Sequence, residues 1–79
     1  MHEEGKAMGD RIRRLREAAK MTRQELGERS GIPWGTIRNW EQGVRIPRLD
    51  LAVRAARALG VSMDTFSGMD EPEVKRKKR

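Results

Sequence analysis

Apolar residues recur at helical intervals near the start of the chain. Ile12, Leu15 and Ala19 follow one another at spacings of three and four residues, which is typical of one face of an amphipathic helix. We expect this helix to end near Lys20 and Met21. Its other faces carry Arg11, Arg13, Arg14 and Arg16. We expect most of these arginines to face solvent, with one or two of them reaching DNA as the alternative. No stretch alternates apolar and polar residues as strands do, so the sequence predicts an all-helical fold.

The second predicted helix has recognisable signals at both ends. Thr22 is followed three residues later by Glu25. This is the spacing of a capping box, in which each side chain binds a backbone amide at the start of the helix. The helix is expected to run to Ser30 and to stop at Gly31, because glycine readily adopts the left-handed conformation that ends many helices.

Three further helices follow along the chain. A third helix is predicted over about 33–42, with Ile37 and Trp40 on its buried side. A loop leads to a fourth helix over about 49–59, which is rich in leucine and alanine, and Ser62 is placed to cap a short fifth helix. The sequence therefore predicts a small domain of five helices.

The two ends of the chain differ from its middle. Residues 1–7 show no apolar periodicity, and residues 69–79 pass from acidic to basic around Pro72 with too few apolar residues to form a core. We therefore expect a flexible N-terminal segment over 1–7, a helical domain over 8–68 and a flexible basic tail over 69–79.

Most of the positive charge belongs to the helical part of the chain. Residues 8–68 carry twelve Arg and Lys side chains against seven Asp and Glu, and eleven of the twelve are arginine. Arginine donates paired hydrogen bonds to phosphate groups and to guanine. A basic domain of this size predicts binding to nucleic acid, with an anionic membrane surface as the weaker alternative.

The composition argues against an enzyme and against a metal site. The chain contains no cysteine, and His2 is its one histidine. Disulfides, thiolate zinc sites and catalysis by a histidine base are thereby excluded, and we expect no catalytic residue, no cofactor and no metal. No run approaches the roughly 18 apolar residues of a membrane span and no signal-peptide pattern is present, so we expect a cytoplasmic protein.

The stretch 23–42 has the spacing of a helix-turn-helix. Gly31 lies at the turn, and Gly27, four residues earlier, leaves room for the two helices to approach each other. Ile37 and Trp40 are apolar at the positions where the second helix must face the core. In such motifs the second helix enters the major groove of DNA.

Four segments within residues 11–68 form a further pattern: RIRRLREAAKMTRQELGERSG, TIRNWEQG, RIPRLDLAVRAARALGVS and MDTFSG. Through these segments the chain resembles the phage Cro/repressor-like helix-turn-helix regulators, often called the Xre family. The resemblance implies a five-helix, phage-repressor-like DNA-binding domain, which in this family usually acts as a homodimer on a near-palindromic operator in double-stranded DNA.

The resemblance also implies which residues contact DNA. In the family, a residue at the start of helix two touches the DNA backbone and braces helix three, the first turns of helix three contact bases and phosphates, and the following loop grips phosphate. The matching positions of this chain are Arg23, Trp34, Gly35, Thr36, Arg38, Asn39, Arg45 and Arg48. Asn39 has the chemistry to pair with adenine, and Arg38 to reach guanine or phosphate.

The start of helix three departs from the family pattern. Trp34 and Gly35 stand where the family often has Gln, Arg or Ser, and Pro33 replaces the usual Ser or Thr cap, so the helix start is expected to shift by about a residue. The Trp34 ring either contacts thymine methyl groups or a sugar edge, or folds back over helix two. Gly35 either lets the DNA backbone approach closely or contacts nothing.

We interpret the chain as a small sequence-specific DNA-binding regulator that represses its own or a neighbouring promoter. Two alternatives share this domain: an antitoxin that neutralises a partner toxin and regulates its own operon, and the controller protein of a restriction–modification system. A dimer would use residues of the last two helices, such as Val61, Met63 and Phe66, or would form only on DNA. The KRKKR tail either contacts DNA electrostatically or is a solubilising end.

Overall fold

Five helices make up the fold of the part of the chain that the computed structural model describes, residues 3–68. They are α1 (Glu3–Ala18), α2 (Arg23–Ser30), α3 (Trp34–Glu41), α4 (Leu49–Leu59) and α5 (Met63–Ser67). These residues contain no strand, and the predicted all-helical, five-helix fold is confirmed. No helix among them has the length and apolar character needed to cross a bilayer. His2 and the predicted basic tail over 69–79 lie outside the described residues.

A small core joins all five helices. Its largest fully buried side chains are Ile12 of α1, Leu26 of α2, Ile37 of α3 and Phe66 of α5. The buried side of α4 consists mostly of alanine, and this helix packs against α2 and α5. The predicted burial of Ile37 and Trp40 is confirmed, at 0% and 2% exposure. Phe66, in contrast, was predicted as an interface residue and instead belongs to the core.

The ends of α1 and α2 follow local signals in the sequence. The Glu25 amide donates to Thr22 Oγ1 at 3.0 Å, and the Thr22 amide donates to Glu25 Oε1 at 2.8 Å. This reciprocal pair is the predicted capping box. Gly31 ends α2 in the left-handed conformation, with a φ of 74°, also as predicted. Helix α1 ends at Ala18, slightly before its predicted end, and Lys20 turns the chain with a φ of 59°.

Helix α1 begins earlier than predicted. Residues 3–7, which were predicted to be flexible, form its start. The sequence pattern did not show this because this part of α1 packs through glycine instead of apolar side chains. A Cβ on Gly9 would lie 2.7 Å from the Glu41 carbonyl oxygen, and one on Gly5 would lie 3.1 Å from that of Gly43. Contact between two backbones leaves no apolar period in the sequence, so periodicity missed this segment.

A buried carboxylate ties three helices together. The side chain of Glu41, the last residue of α3, is 1% exposed. Arg16 of α1 binds both of its oxygens, with Nε 2.6 Å from Oε2 and Nη2 2.9 Å from Oε1. Arg23 of α2 adds a third hydrogen bond, from Nε to Oε1 at 3.1 Å. The orientation of α3 relative to α1 and α2 is therefore fixed by charged hydrogen bonds as well as by apolar packing.

Most of the α1 arginines were predicted to face solvent, and Arg16 does not. Its side chain is 12% exposed, and it also donates from Nη1 to the Met21 carbonyl at 3.0 Å. The hydrogen bond with Glu41 raises the pKa of the Arg16 guanidinium above its ordinary value. Because a buried charge without a partner is strongly unfavourable, each member of this pair requires the other.

The substitution Glu41→Gln should lower the free energy of unfolding by about 3 kcal/mol or more, because two guanidinium groups lose the carboxylate that neutralises them. Urea denaturation followed by circular dichroism measures this loss. The matched control is Asp10→Asn, which removes the exposed partner of Arg13 and should cost under about 1 kcal/mol. Equal losses in the two variants would contradict the structural role of Glu41.

Candidate nucleic-acid interface

The turn between α2 and α3 fixes how α3 is presented. The amides of Gly31 and Ile32 both donate to the Gly27 carbonyl, at 2.8 and 3.1 Å. A Cβ on Gly27 would lie 2.7 Å from the Ile32 carbonyl oxygen, so the turn folds back on α2 at a distance that only glycine allows. Ile32 is buried at 2% exposure and anchors the turn in the core. The predicted role of Gly27 in close helix approach is thus confirmed at the turn.

Helix α3 starts one residue later than predicted, at Trp34, with Pro33 as its N-terminal cap. Pro33 offers no side-chain hydrogen bond to the first turn, and the Thr36 amide donates to the Pro33 carbonyl at 2.9 Å. Pro33 itself holds the cap position, so the shift of the helix start that was expected from the missing Ser or Thr stays a prediction. At the other end, α3 stops at Glu41 and Gln42 caps it.

Helix α3 has a buried side and an open side. Successive residues of an α-helix are rotated by about 100°. Ile37, Trp40 and Glu41 are buried and share one arc of the helix. The opposite side, called the open face below, carries five of the residues predicted to contact DNA: Trp34, Gly35, Thr36, Arg38 and Asn39. Gly35 lies near the centre of the open face and Trp34 and Thr36 lie at its two edges.

Gly35 leaves a gap in the middle of the open face. A Cβ at this position would have no neighbouring heavy atom within 4 Å. The fold therefore does not require glycine here, in contrast to the close approach at Gly27 and the left-handed conformation at Gly31. Because the protein makes no use of the missing side chain, any use of the gap must come from a bound partner.

Trp34 and Arg38 form a stacked pair at one edge of the open face. The two residues are about one helical turn apart, and the guanidinium carbon of Arg38 lies over the Trp34 ring, 5.5 Å from its centroid. This distance is within the range of a cation–π interaction. Trp34 is 47% exposed, and it also borders a shallow depression lined by Gln24 and Glu28 of α2. The Trp34 ring is thus placed beside α2 without being covered by it.

The other edge of the open face continues into a groove of about 540 Å³. Thr36 and Asn39 of α3 line the groove together with Arg45 and Arg48 of the following loop. The amides of Val44 and Arg45 donate to the Asn39 carbonyl at 2.9 and 3.3 Å, which holds the loop against the end of α3. The structure therefore brings together four residues that the sequence analysis placed on two separate elements.

Two of the arginines predicted to contact DNA have acidic partners. Arg48 Nη2 lies 3.1 Å from Asp50 Oδ2 at the surface, and this hydrogen bond lowers the pKa of Asp50. Arg23 is bound to Glu41, and its side chain is 31% exposed. The structure does not bring Arg23 into the groove. Arg23 braces α3 through Glu41, as predicted, whereas its contact with DNA stays a prediction.

Reasoning from the sequence missed the pairing of Arg16 with Glu41. Helical periodicity carries a signal for it, because Glu41 falls in the same arc as Ile37 and Trp40. A carboxylate on the buried side of a helix must have hydrogen-bonding or charged partners. Gln42 was not among the residues predicted to contact DNA, although it is exposed at the end of α3.

The chain is similar to helix-turn-helix regulators along most of its length. Residues 12–66 match the family model HTH_3, described as helix-turn-helix. YobD, an uncharacterized HTH-type transcriptional regulator of Bacillus subtilis, is 38% identical over 66 residues, which cover 82% of this chain and 59% of that protein. Rv0474, an uncharacterized HTH-type transcriptional regulator of Mycobacterium tuberculosis, is 36% identical over 67 residues, which cover 81% of this chain and 48% of that protein. The chain thus spans about half the length of these curated relatives.

A solved structure is also similar to this fold. It is the crystal structure of the restriction–modification controller protein C.AhdI from Aeromonas hydrophila. The two superpose with a TM-score of 0.80 at 25% sequence identity, and the match covers 82% of this chain and 98% of that one. The likeness therefore extends beyond the helix-turn-helix itself to the arrangement of the surrounding helices.

Alanine at two glycines of this region should have opposite effects on stability. Gly35→Ala should raise the free energy of unfolding by about 0.5–1 kcal/mol, because alanine favours a helix and its Cβ meets open space. Gly31→Ala should lower it by about 1 kcal/mol, because an L side chain is strained at a φ of 74°. Thermal unfolding of both variants beside the wild type measures the difference. Destabilisation by Gly35→Ala would mean that the gap in the open face is closed in solution.

Proposed function

The chain belongs to the helix-turn-helix family, and from this premise we propose that it is a sequence-specific DNA-binding transcriptional regulator whose α3 enters the major groove. One observation carries the proposal: the open face of α3 and the adjoining groove share Thr36 and Asn39 and so form one continuous surface. This surface holds every residue predicted to contact DNA except Arg23.

The dimensions and charge of this surface suit double-stranded DNA. The major groove is about 12 Å wide, and it admits α3 because an α-helix with its side chains is about 10–12 Å in diameter. Arg38, Arg45 and Arg48 are exposed beside it. Cations in this position displace the counterions of DNA, so the affinity should fall steeply as the salt concentration rises.

The residues of the surface divide into readers and phosphate contacts. Asn39 lines the groove and has the paired donor and acceptor that match the major-groove edge of adenine. Arg45 and Arg48 lie on the loop beside α3 and are assigned to phosphates, which position the protein without reading sequence. Arg23 remains partly exposed while it holds Glu41, so it is assigned to a phosphate as well.

The proposal includes a homodimer that represses transcription from a two-fold symmetric operator. Two copies would place their α3 helices in successive major grooves, about 34 Å apart. Because Phe66 is in the core, the surfaces left for such a contact include Val61 and Met63, which are partly exposed. A DNA-binding regulator must reach the chromosome. We therefore also assign the chain to the cytoplasm.

A controller protein of a restriction–modification system is the second candidate. The likeness to C.AhdI favours it, because that match covers nearly the whole of the controller protein. A neighbouring gene for a restriction endonuclease would support this assignment, and its absence would return the chain to the general class of regulators. The antitoxin alternative gains no support from the relatives described above.

Selection from random double-stranded DNA at about 150 mM salt tests the proposed function, because non-specific phosphate contacts are weakened at this concentration. The expected result is a two-fold symmetric consensus with half-sites one helical turn apart. Binding without any consensus would contradict sequence-specific regulation and would leave a non-specific basic domain.

Two alanine substitutions separate base reading from phosphate binding. Asn39→Ala should cost about 1–3 kcal/mol of binding free energy on the consensus and should relax selectivity at one base pair. Arg45→Ala should weaken binding to all sequences alike and should reduce the salt dependence of log K by about one unit of slope. Titrations of the consensus and of a scrambled duplex at several salt concentrations measure both. Lost selectivity in Arg45→Ala would contradict its assignment to phosphate.

A further inference from the structure

We infer that Trp34 and Arg38 act as one stacked unit that reads a guanine next to a thymine in each half-site. The inference rests on the proposed function and adds to it the base step that the first turns of α3 select. It makes Trp34 a specificity-determining residue and assigns Arg38 to a base instead of to a phosphate.

The guanidinium of Arg38 has its hydrogen-bonding edge free. Within residues 3–68 it donates no hydrogen bond to the protein, whereas Arg48 is bound to Asp50. Its guanidinium carbon lies over the Trp34 ring, 5.5 Å from the ring centroid. Since the contact with the ring uses none of the hydrogen-bonding partners of arginine, the N–H groups stay available to a ligand.

The stack also orders Arg38 before any ligand arrives. An arginine side chain in water has many rotamers, and fixing it on binding costs conformational free energy. Here the ring that supports it is itself positioned, because the Trp34 backbone lies against Gly27 at the turn and the ring lies beside α2. The pair is therefore preorganised at the edge of the open face.

The chemistry of the two side chains selects the bases. Arginine binds the O6 and N7 acceptors of guanine with two hydrogen bonds, whereas adenine and cytosine present amino donors that would oppose a guanidinium. An exposed apolar ring favours the methyl group of thymine.

The neighbouring gap gives the stack access to the base edges. A side chain at Gly35 would project from the centre of the open face. In the complex it would lie between α3 and the base edges of the DNA major groove. Without one, the backbone of α3 can approach closely enough for the Trp34 ring and the Arg38 edge to reach the bases beside it. The alternative role, in which Arg38 binds a phosphate and Trp34 only supports it, predicts no base preference.

The experiment combines selection with base analogues. Random-duplex selections are run with the wild type, Trp34→Ala, Trp34→Phe and Arg38→Ala, with Arg57→Ala on the exposed surface of α4 as the matched control. Affinities are then measured on the wild-type consensus duplex, with deoxyuridine in place of the thymine and with 7-deazaguanine in place of the guanine. Circular dichroism verifies that each variant is folded.

The expected result is that Arg38→Ala loses the guanine preference at one position and binds the consensus at least about ten-fold more weakly. Deoxyuridine should weaken the wild type about four-fold, as expected for one methyl group. It should leave Trp34→Ala unaffected, Trp34→Phe should fall between them, and Arg57→Ala should behave as the wild type. The effects of Trp34→Ala and Arg38→Ala should not add, because one residue supports the other.

Different results overturn different claims. If the wild type yields a consensus and both Trp34→Ala and Arg38→Ala keep its guanine and thymine, or if Arg38→Ala weakens every duplex equally, the inference is wrong and the proposed function stands. If the wild type yields no consensus at all, the proposed function is wrong and the inference falls with it.

Discussion

A carboxylate enclosed by two guanidinium groups is the constraint around which the helices are arranged. Glu41 is withdrawn from water at the end of α3, and its charge is costly there unless cations replace the lost hydration. Arg16 and Arg23 supply those cations from two different helices. Because hydrogen bonds have preferred directions and apolar contacts do not, this one charged centre adds a directional constraint on the angle of α3 to the apolar packing of the core.

The open face follows from how both ends of α3 are held. At its start, Trp34 lies against the glycine turn of α2, and at its end Glu41 is bound to α1 and α2. A short helix fixed at both ends loses little further freedom when it meets a ligand, which favours binding. Asn39 adds the loop to the same rigid unit, since its carbonyl accepts the amides of Val44 and Arg45.

The features that could be predicted from the sequence depend on residues close together along the chain. The capping box of Thr22 and Glu25 spans three residues, and the burial of Ile37 and Trp40 follows from one helical period.

Contacts between distant segments could not be predicted in this way. The start of α1 packs through backbone atoms, and the choice of Arg16 as the partner of a residue 25 positions away leaves no mark that separates it from the other arginines of α1. The spacing of Trp34 and Arg38 was visible, but their stacking depends on side-chain conformation. Which bases the open face contacts is set by a partner and not by the fold.

The close packing of α1 against α3 limits which mutations this domain can accept. Every amino acid other than glycine carries a Cβ, and at Gly9 that atom would lie 2.7 Å from the Glu41 carbonyl oxygen. Any missense mutation at this codon therefore pushes apart the two helices that Arg16 and Glu41 join. Mutations on the open face meet no such barrier, since Gly35 and its neighbours project away from the core. Substitutions on the open face can therefore change what α3 recognises, while the contact between α1 and α3 is kept.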